Sequence, residues 1–236
     1  MKLFKILILV TNMLFANEVT KTVIIERAYP SYDFNLAMYD MISDEWSDDY
    51  AVGDAWDDYA RSAYNSHEQK IICVFRNGHG DNGEFYIKAY DVITDTWEDR
   101  ATFSPNVSGI SDNYDIVYDS ADNKIILVYY DDSNIYPVNY DYDTDTWTEL
   151  DTGGYSVGGS VEIMNIVYNV ANGLVFIFSY TPSNNQLAVI PFNPYNSQYF
   201  YNEFTINPII GSDLAYDEID NKIYYVYNHT DHDMNA

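Results

Sequence analysis

The stretch Tyr90-Asp91-Val92-Ile93-Thr94-Asp95-Thr96-Trp97 occurs three times in this chain with small changes. The other two copies run from Tyr39 to Trp46 and from Tyr140 to Trp147, so that the three tryptophans are 51 and 50 residues apart. A fourth and more divergent copy ends at Tyr199, which lies 52 residues after Trp147. The chain is therefore built from repeats of about fifty residues, each of which forms one structural unit.

A second motif keeps the same phase and predicts what one repeat contains. From Asp115 to Tyr129 it consists of an apolar strand, a polar turn and a second apolar strand, and it recurs near Tyr64, Tyr168 and Tyr216. The two motifs together predict four short strands in each repeat. Strand A ends at the tyrosine, strand B is the β-branched and aromatic run, strand C leads into Tyr-Asp, and strand D carries the tryptophan. Turns rich in Asp and Asn between such runs are typical of hairpins, so we predict an all-β chain.

Four-stranded units that repeat every fifty residues are typical of β-propellers, in which each unit is one blade. The motif Tyr-Asp-x-x-Thr-Asp-Thr-Trp that closes each unit resembles the kelch repeat, and the resemblance extends from about Thr22 to Asn228. In such a propeller the A-to-B and C-to-D turns share one face. The resemblance implies that the opposite face, made by the B-to-C and D-to-A loops, binds ligands.

The two ends of the repeat region complement each other. Residues from about Phe34 to Trp46 supply only strands C and D, and residues from about Asp213 to Tyr227 supply only strands A and B. We predict that these halves pair, which gives four blades closed by a split blade and leaves no long edge exposed. The stretch Thr22 to Arg27 is surplus to this scheme. It is either an extra outer strand or the strand B of a truncated larger propeller, which is the alternative.

The N-terminus predicts export. Lys2 and Lys5 precede the apolar run Ile6 to Val10, and Ala16 offers a small residue for cleavage. We predict a signal peptide over residues 1–16 and a kelch-like domain over residues 17–236 in a secreted protein, extracellular or at the cell surface. A buried first strand is the alternative for the apolar run. The single cysteine, Cys73, lies inside a strand B and is interpreted as a small buried hydrophobe.

Net charge limits the partners of the chain. With 11 Lys and Arg residues against 37 Asp and Glu residues, the formal charge is -26. Such a surface repels phosphate backbones and anionic lipid head groups, so nucleic acid and anionic membranes are excluded as partners. Protein or neutral glycan partners are compatible with it. No cofactor is expected, although an acidic surface also suits a divalent cation such as calcium.

Recognition residues are expected in the B-to-C loops, because these loops depart from the repeat pattern. Imidazoles and carboxylates of the first and last of them also suggest a metal site. The metal candidates are His79, Asp81, His229, Asp231 and His232. The ligand-binding candidates are Arg76, Asn77, His79, Asp81, Asp131, Asp132, Asn134, Asn184 and Asn185.

The aspartates from Asp141 to Asp145 look like calcium ligands at first sight. A calcium loop of the EF-hand kind needs a glycine where Thr146 stands and a glutamate where Thr152 stands. We therefore interpret these aspartates as caps of the C-to-D turn, with Trp97 and Trp147 packed between blades.

Catalysis has little support in the sequence. It contains no Gly-x-Ser-x-Gly, no phosphate-binding glycine loop and no His-Glu-x-x-His. We predict a secreted binding module that recognises a protein or a glycan through its variable loop face. The alternative is a secreted carbohydrate-active or copper-oxidase-like propeller enzyme.

Overall fold

The structure is a computed structural model that describes residues 8–10, 21–27, 34–40, 44–46, 50–53, 60–76, 83–111, 113–183, 185–200, 202–205 and 209–229. These residues form strands and turns and no helix, which confirms the all-β prediction. In particular, this part of the chain has no helix long and apolar enough to cross a membrane. The chain divides into two compact units, Met1–Ser108 and Gly109–Ala236.

Unit 1 contains two antiparallel sheets. In sheet 1 the order is β1-β2-β3-β4, and β5 also pairs with β3. In sheet 2 the order is β6-β7-β8-β9. Sheet 1 consists of β1 Ile8–Val10, β2 Lys21–Arg27, β3 Phe34–Asp40, β4 Glu45–Trp46 and β5 Tyr50–Gly53. Sheet 2 consists of β6 Ala60–Asn65, β7 Lys70–Arg76, β8 Phe85–Asp91 and β9 Thr96–Phe103.

Unit 2 contains three sheets. Sheet 3 comprises β10 Tyr114–Asp119, β11 Lys124–Tyr130, β12 Asn134–Asp141, β13 Thr146–Glu149 and β14 Tyr155–Ser156. Sheet 4 comprises β15 Ile163–Asn169, β16 Leu174–Thr181, β17 Gln186–Asn193, β18 Gln198–Tyr199 and β19 Asn202–Thr205. Sheet 5 comprises β20 Ile209–Asp217 and β21 Lys222–His229. The strands of sheets 3 and 4 follow chain order, with β14 and β19 paired to the beginnings of β12 and β17.

The predicted strands A, B, C and D are confirmed in sheets 2, 3 and 4, and sheet 5 has strands A and B. Strand B is one of the two inner strands, and in sheet 3 it is buried more continuously than strand C. In β11 every residue from Ile125 to Tyr130 is at most 1% exposed. A strand that is buried on both faces reads as a continuous apolar run and not as an alternating one, as this sequence does.

The pairing of β2 differs from the predicted split blade. All seven residues of β2 pair with β3, while β4 and β5 occupy the other edge of β3. A strand has only two hydrogen-bonding edges, so β3 offers none to β21. The surplus stretch Thr22 to Arg27 is therefore the strand B of sheet 1. Neither ring closure nor the number of blades is confirmed.

The segment predicted as an export signal contributes β1. Ile8, Leu9 and Val10 pair antiparallel with Ile25, Ile24 and Val23 of β2. β1 thus occupies the position of a strand A. This agrees with the alternative interpretation of the apolar run, that it is a first strand. Cleavage after residue 16 stays a prediction.

The A-to-B and C-to-D turns have one common construction. An Asp or Asn at the end of the first strand accepts hydrogen bonds from amides two or three residues later, as Asp91 does from Ile93 and Thr94, both at 2.9 Å. Asp119 and Asn65 do the same in A-to-B turns. These bonds confirm that the aspartates of the repeat motif are turn caps.

A tyrosine hydroxyl closes most of these turns from the strand side. The hydroxyl of Tyr140 donates to Oδ1 of Asp145 at 2.6 Å, and the residue that accepts lies five positions after the tyrosine. The accepting residue has a positive φ, 53° at Asp145, a conformation that Asp and Asn tolerate better than most residues. The same pair occurs as Tyr90 with Asp95, Tyr118 with Asn123 and Tyr216 with Asn221. It also occurs in one B-to-C turn, as Tyr180 with Asn185.

Trp97 and Trp147 each pack on the tyrosine that faces them across strands C and D. The ring centroids of Trp97 and Tyr90 are 4.9 Å apart, as are those of Trp147 and Tyr140. In the divergent repeat Tyr199 packs on Phe192 at 4.8 Å, which confirms it as a fourth copy of the motif. The prediction that the tryptophans pack between blades is not confirmed, because both are half-buried and contact the tyrosine of their own sheet.

Within unit 2 the sheets contact one another through their first strands, with β15 lying between β10 and β20. Oδ2 of Asp115 accepts a hydrogen bond from the Ile166 amide of the next sheet at 2.8 Å. Phe178 of sheet 4 stacks on Tyr225 of sheet 5 with ring centroids 5.2 Å apart. Successive sheets are thus joined by polar contacts along strand A and apolar contacts along strand B.

Strand D is interrupted or bulged in every sheet where it is described. In sheet 3 residues 150–154 separate β13 from β14, and in sheet 4 residues 200–201 separate β18 from β19. In sheet 2 the register between β8 and β9 shifts between Phe85 and Ile87. The repeat pattern of the sequence gives no sign of this interruption.

Candidate functional site

The predicted recognition face is described best in unit 2. There the B-to-C turns cover residues 131–133 and 182–185, and the D-to-A loop between sheets 3 and 4 covers residues 157–162. The register of sheet 3 places Tyr114 opposite Tyr129 and Tyr130 opposite Ile135. The start of strand A, the end of strand B and the start of strand C therefore meet at one edge of the sheet.

Asp131 organises the first of these turns. Its Oδ1 accepts hydrogen bonds from the amides of Ser133 at 3.1 Å and Asn134 at 2.7 Å, and its own amide donates to the Asn134 carbonyl at 3.1 Å. Its Oδ2 accepts the hydroxyl of Tyr136 at 2.8 Å. Since both carboxylate oxygens already accept hydrogen bonds, Asp131 shapes the turn and is not a free ligand.

Tyr136 joins this turn to the sheet. Its ring stacks on Tyr129 with centroids 5.2 Å apart and an interplanar angle of 15°. Burial raises the pKa of Tyr136, and the hydrogen bond to the Asp131 carboxylate acts in the same direction. The phenol therefore stays protonated and keeps donating to Asp131 well above neutral pH.

Hydrogen bonds tie the D-to-A loops to the B-to-C turns. The Tyr130 hydroxyl donates to the Gly159 carbonyl at 2.8 Å, and the Ser111 amide donates to the Tyr130 carbonyl at 2.8 Å. Nδ2 of Asn113, which precedes strand A of sheet 3, donates to the Val161 carbonyl, which precedes strand A of sheet 4, at 2.7 Å. The loops of two neighbouring sheets thus form one continuous and preorganised surface, which we call the loop face.

The structure places the ligand-binding and metal candidates in different parts of the molecule. Asp132 and Asn134 lie on the loop face with Asp131, and Asp132 is exposed with a φ of 69°. Asn185 lies in the equivalent turn of sheet 4, where its Oδ1 accepts the Tyr180 hydroxyl at 3.1 Å. Arg76 ends β7 of unit 1 and is 8% exposed. Asn77, His79, Asp81, Asn184, Asp231 and His232 lie outside the described residues, and His229 is the last residue of β21.

The sequence did not indicate the hydroxyls that complete the loop face. Ser133 is exposed beside Asp132, and Tyr130 and Tyr136 hold the loops through their hydroxyls. Tyrosines are so frequent in this chain, 25 in all, that no single one stands out as a site residue. The spacing of Asp131 and Tyr136 is a local signal, because it reverses the order of the tyrosine and Asx pairs in the A-to-B and C-to-D turns.

Metal and thiol chemistry find no support in the part of the chain that the structure describes. Within it, no group of three or more His, Cys, Asp and Glu side chains is arranged to hold a metal ion. Cys73 is fully buried in the core of sheet 2, as predicted, and burial raises the pKa of its thiol to about 12. A thiol that stays protonated in this way is a poor nucleophile.

Gly154 is the position where the loop face is most sensitive to substitution. It has a φ of +67°, and a Cβ there would lie 2.6 Å from Cε1 of Tyr136 and 2.8 Å from Cβ of Asn134. We expect Gly154→Ala to lower the free energy of unfolding by about 2 to 4 kcal/mol, through overpacking and backbone strain together. Chemical denaturation measures this loss. Gly153→Ala is the matched control, since its Cβ would meet only Oδ1 of Asp151, at 3.4 Å. Equal stability of the two variants would contradict the packing described for Tyr136.

Comparison with known proteins gives the fold class. No protein-family model matches the sequence, and no curated protein matches it. Solved structures do match. The Dos1 propeller is 11% identical with a TM-score of 0.53, over 87% of this chain and 48% of that one. An auxiliary nutrient binding protein from Bacteroides ovatus is 14% identical with a TM-score of 0.54, over 87% and 53%.

An exo-β-1,3-galactanase from Phanerochaete chrysosporium, solved with β-1,3-galactotriose, is also similar. It is 12% identical with a TM-score of 0.52, over 82% of this chain and 49% of that one. The chain thus spans about half the length of these solved structures. At such low identity the likeness shows the fold alone. Together with the four-stranded antiparallel sheets, it identifies a fold of the β-propeller type.

Proposed function

We propose that the chain is a secreted, kelch-like β-propeller module that binds a protein or glycan partner through the loop face. Of the two kinds of partner, a neutral glycan fits the loop face better. A surface that exposes a carboxylate, hydroxyls and amides on a rigid support suits the hydroxyl groups of a sugar. The formal charge of -26 disfavours acidic glycans and phosphate-bearing partners.

The observation that carries the proposal is that the loops are preorganised. The bonds from Tyr130 to Gly159 and from Asn113 to Val161 fix loops of two sheets relative to each other without using the side chains of Asp132 and Ser133. A surface that is ordered before binding loses little conformational entropy when a ligand binds. The loops that leave the repeat pattern are thus the ones held rigid, as a recognition surface requires.

The kinds of protein that share the fold agree with this proposal. One similar structure is a nutrient binding protein, and another is a galactanase solved with an oligosaccharide. The first binds a nutrient by name and the second is a galactanase, which supports a glycan partner for this chain. The support is by analogy of fold, so the loop face has to be tested directly.

A binding screen with matched variants tests the proposal. We expect the chain to bind at least one member of an array of neutral oligosaccharides, and Asp132→Asn with Ser133→Ala to weaken that binding about tenfold or more. The control is Asp122→Asn with Ser120→Ala in the A-to-B turn of the same sheet. All four residues are exposed, and the two double substitutions remove the same chemical groups. Loss of binding in the control pair alone, at unchanged melting temperature, would place recognition on the opposite face.

A further inference from the structure

Three large apolar side chains are exposed at turns of unit 2. The A-to-B and C-to-D turns of this unit, which we call the turn surface, are residues 120–123, 142–145, 170–173, 194–197 and 218–221. Val170, Tyr195 and Ile219 lie in these turns and are 42%, 53% and 95% exposed. In the described part of the loop face no large apolar side chain is exposed. Because turns are usually polar, exposed apolar residues that gather on one face indicate an interaction surface.

A hydrogen bond joins the turns of sheets 4 and 5. Nδ2 of Asn169 donates to Oδ1 of Asn221 at 3.1 Å. The same Oδ1 accepts the hydroxyl of Tyr216 at 3.0 Å, so that the position of Asn221 is fixed from both sheets. Val170 follows Asn169 directly, and Ile219 lies two residues before Asn221. These two apolar side chains therefore belong to one continuous surface.

Tyr195 connects this surface to sheet 3. One edge of its ring packs against the A-to-B turn of its own sheet, where a Cβ at Gly173 would lie 3.3 Å from Cε2 of Tyr195. Burial raises the pKa of Tyr195, and the charges of Asp119 and Asp122 in sheet 3 act in the same direction. These two carboxylates are thus close enough to the phenol to influence its ionisation. The turns of all three sheets therefore contribute to the turn surface.

The charges of the turn surface lie on both sides of an uncharged centre. The two turns of sheet 4 contain no charged residue. The turns of sheets 3 and 5 contain five acidic residues and no lysine or arginine, and the acidic ones are Asp122, Asp143, Asp145, Glu218 and Asp220. Lys222 begins the strand after the last of these turns, and its Nζ lies 2.9 Å from Oδ2 of Asp220. The surface thus has an apolar centre between two acidic flanks.

The construction of the turns does not require the loss of charge in sheet 4. In its C-to-D turn, Oδ1 of Asn193 accepts a hydrogen bond from the amide of Tyr195 at 2.9 Å. In sheet 3, Oδ1 of Asp141 accepts one from the amide of Thr144 at 3.0 Å. Asp and Asn thus cap equivalent turns in the same way. A partner that covers sheet 4 with an apolar segment explains the uncharged centre, because burying an unpaired carboxylate there would be costly.

We propose that the turn surface of unit 2 docks a segment of another protein in which apolar side chains are flanked by lysines or arginines. The apolar side chains of the segment pack on Val170, Tyr195 and Ile219, and its cationic groups lie beside the carboxylates of sheets 3 and 5. Protein interfaces commonly combine such an apolar and aromatic centre with a polar rim. A lipid surface fits less well, because contact with it would remove part of the hydration of the flanking carboxylates. This site is independent of the loop face, because it lies at the opposite ends of the strands.

Three short peptides test whether both the apolar centre and the acidic flanks are used. The labelled probe has the sequence Lys-Lys-Leu-Leu-Leu-Lys-Lys and is titrated with the full chain at about 0.15 M salt. One control peptide has serine in place of each leucine, and the other has glutamate in place of each lysine. We expect saturable binding of the probe and at least about tenfold weaker binding of both controls. Equal binding of the serine peptide would overturn the proposal, because the net charge of the chain alone would then hold the probe.

Paired substitutions in the chain test where the probe binds. We expect Val170→Ser with Tyr195→Ser to weaken its binding about tenfold. The matched control is Phe200→Ser with Val226→Ser, which also removes an exposed aromatic ring and an exposed valine, but outside the turn surface. We expect the control pair to bind the probe as the wild-type chain does, and thermal melts check that both variants are folded. Equal weakening by the two pairs, or by neither, would place the probe elsewhere and overturn the proposal.

Charge removal tests the acidic flanks in the same assay. We expect Asp122→Asn with Glu218→Gln to weaken binding of the probe about threefold, because exposed ion pairs are individually weak. Glu162→Gln with Asp213→Asn removes the same charges from exposed positions outside the turns and is expected to have no such effect. Vesicles of phosphatidylcholine test the other kind of partner. Binding of the chain to these vesicles that is lost in Val170→Ser with Tyr195→Ser would assign the surface to lipid and overturn the proposal, as would the absence of saturable binding of the probe.

Discussion

Tyr140→Ala is expected to lower the free energy of unfolding by about 3 to 5 kcal/mol, as large truncations in a core do. Tyr140 is fully buried, and its ring packs on Trp147 at 4.9 Å and edge-on to Tyr142 at 6.4 Å. Its hydroxyl also closes the C-to-D turn through Asp145. The substitution removes both the packing and the turn contact, and denaturant titration measures the sum.

Two further variants separate these contributions. Tyr140→Phe keeps the ring and removes only the hydrogen bond, so we expect it to cost about 1 kcal/mol. Tyr224→Ala removes a tyrosine that is 48% exposed and is the control for the loss of a ring as such, with an expected cost under about 1 kcal/mol. If Tyr140→Phe cost as much as Tyr140→Ala, the turn contact and not the packing would hold sheet 3 together.

Raising the pH above about 10 is expected to unfold the chain cooperatively, because tyrosines of the core resist ionisation. Burial raises the pKa of Tyr129, Tyr168 and Tyr199 above the ordinary value of 10.0. In the unfolded chain the same groups release their protons near pH 10, so the unfolded state binds fewer protons than the folded one. The stability from these groups is complete below pH 10 and is lost as pH rises toward the folded pKa values.

Thermal melts and phenolate absorbance across the alkaline range measure this transition. We expect the melting temperature to change little between about pH 7 and 9 and then to fall steeply. The part of the phenolate absorbance that comes from Tyr129, Tyr168 and Tyr199 should rise in one step with the loss of β-sheet circular dichroism. Ionisation of all 25 tyrosines near pH 10 with the sheets intact would show that Tyr129, Tyr168 and Tyr199 are also accessible to solvent in the folded chain.

The repeat made the sheets predictable because one local rule recurs in each of them. An apolar strand B, a capping Asx and the tryptophan after Tyr-Asp fix strand order and register within a sheet, and these elements are all local in sequence. The divergent fourth copy was recognised from spacing alone, and the packing of Tyr199 on Phe192 confirms it.

Pairing between distant segments was not predictable in the same way. Thr22 to Arg27 reads as a strand in isolation, but its partner depends on which strands compete for the two edges of β3. The site residues were equally hard to rank. Asp131 and Asn185 look like ligands in the sequence, whereas their oxygens accept hydrogen bonds within their own turns. Loop residues follow no periodic pattern, so the sequence does not show that these side chains hydrogen-bond within their own turns.

The interrupted strand D has a consequence for the behaviour of the protein at high concentration. Outer strands present an unsatisfied ladder to other molecules, and long flat ladders of this kind nucleate fibrils. In sheet 3 the outer ladder is only four residues long before residues 150–154 break it, and in sheet 4 it is two residues long. A neighbouring molecule therefore finds no continuous template along these edges. We therefore expect these two edges to pair poorly with other molecules, even in a chain that is 17% aromatic.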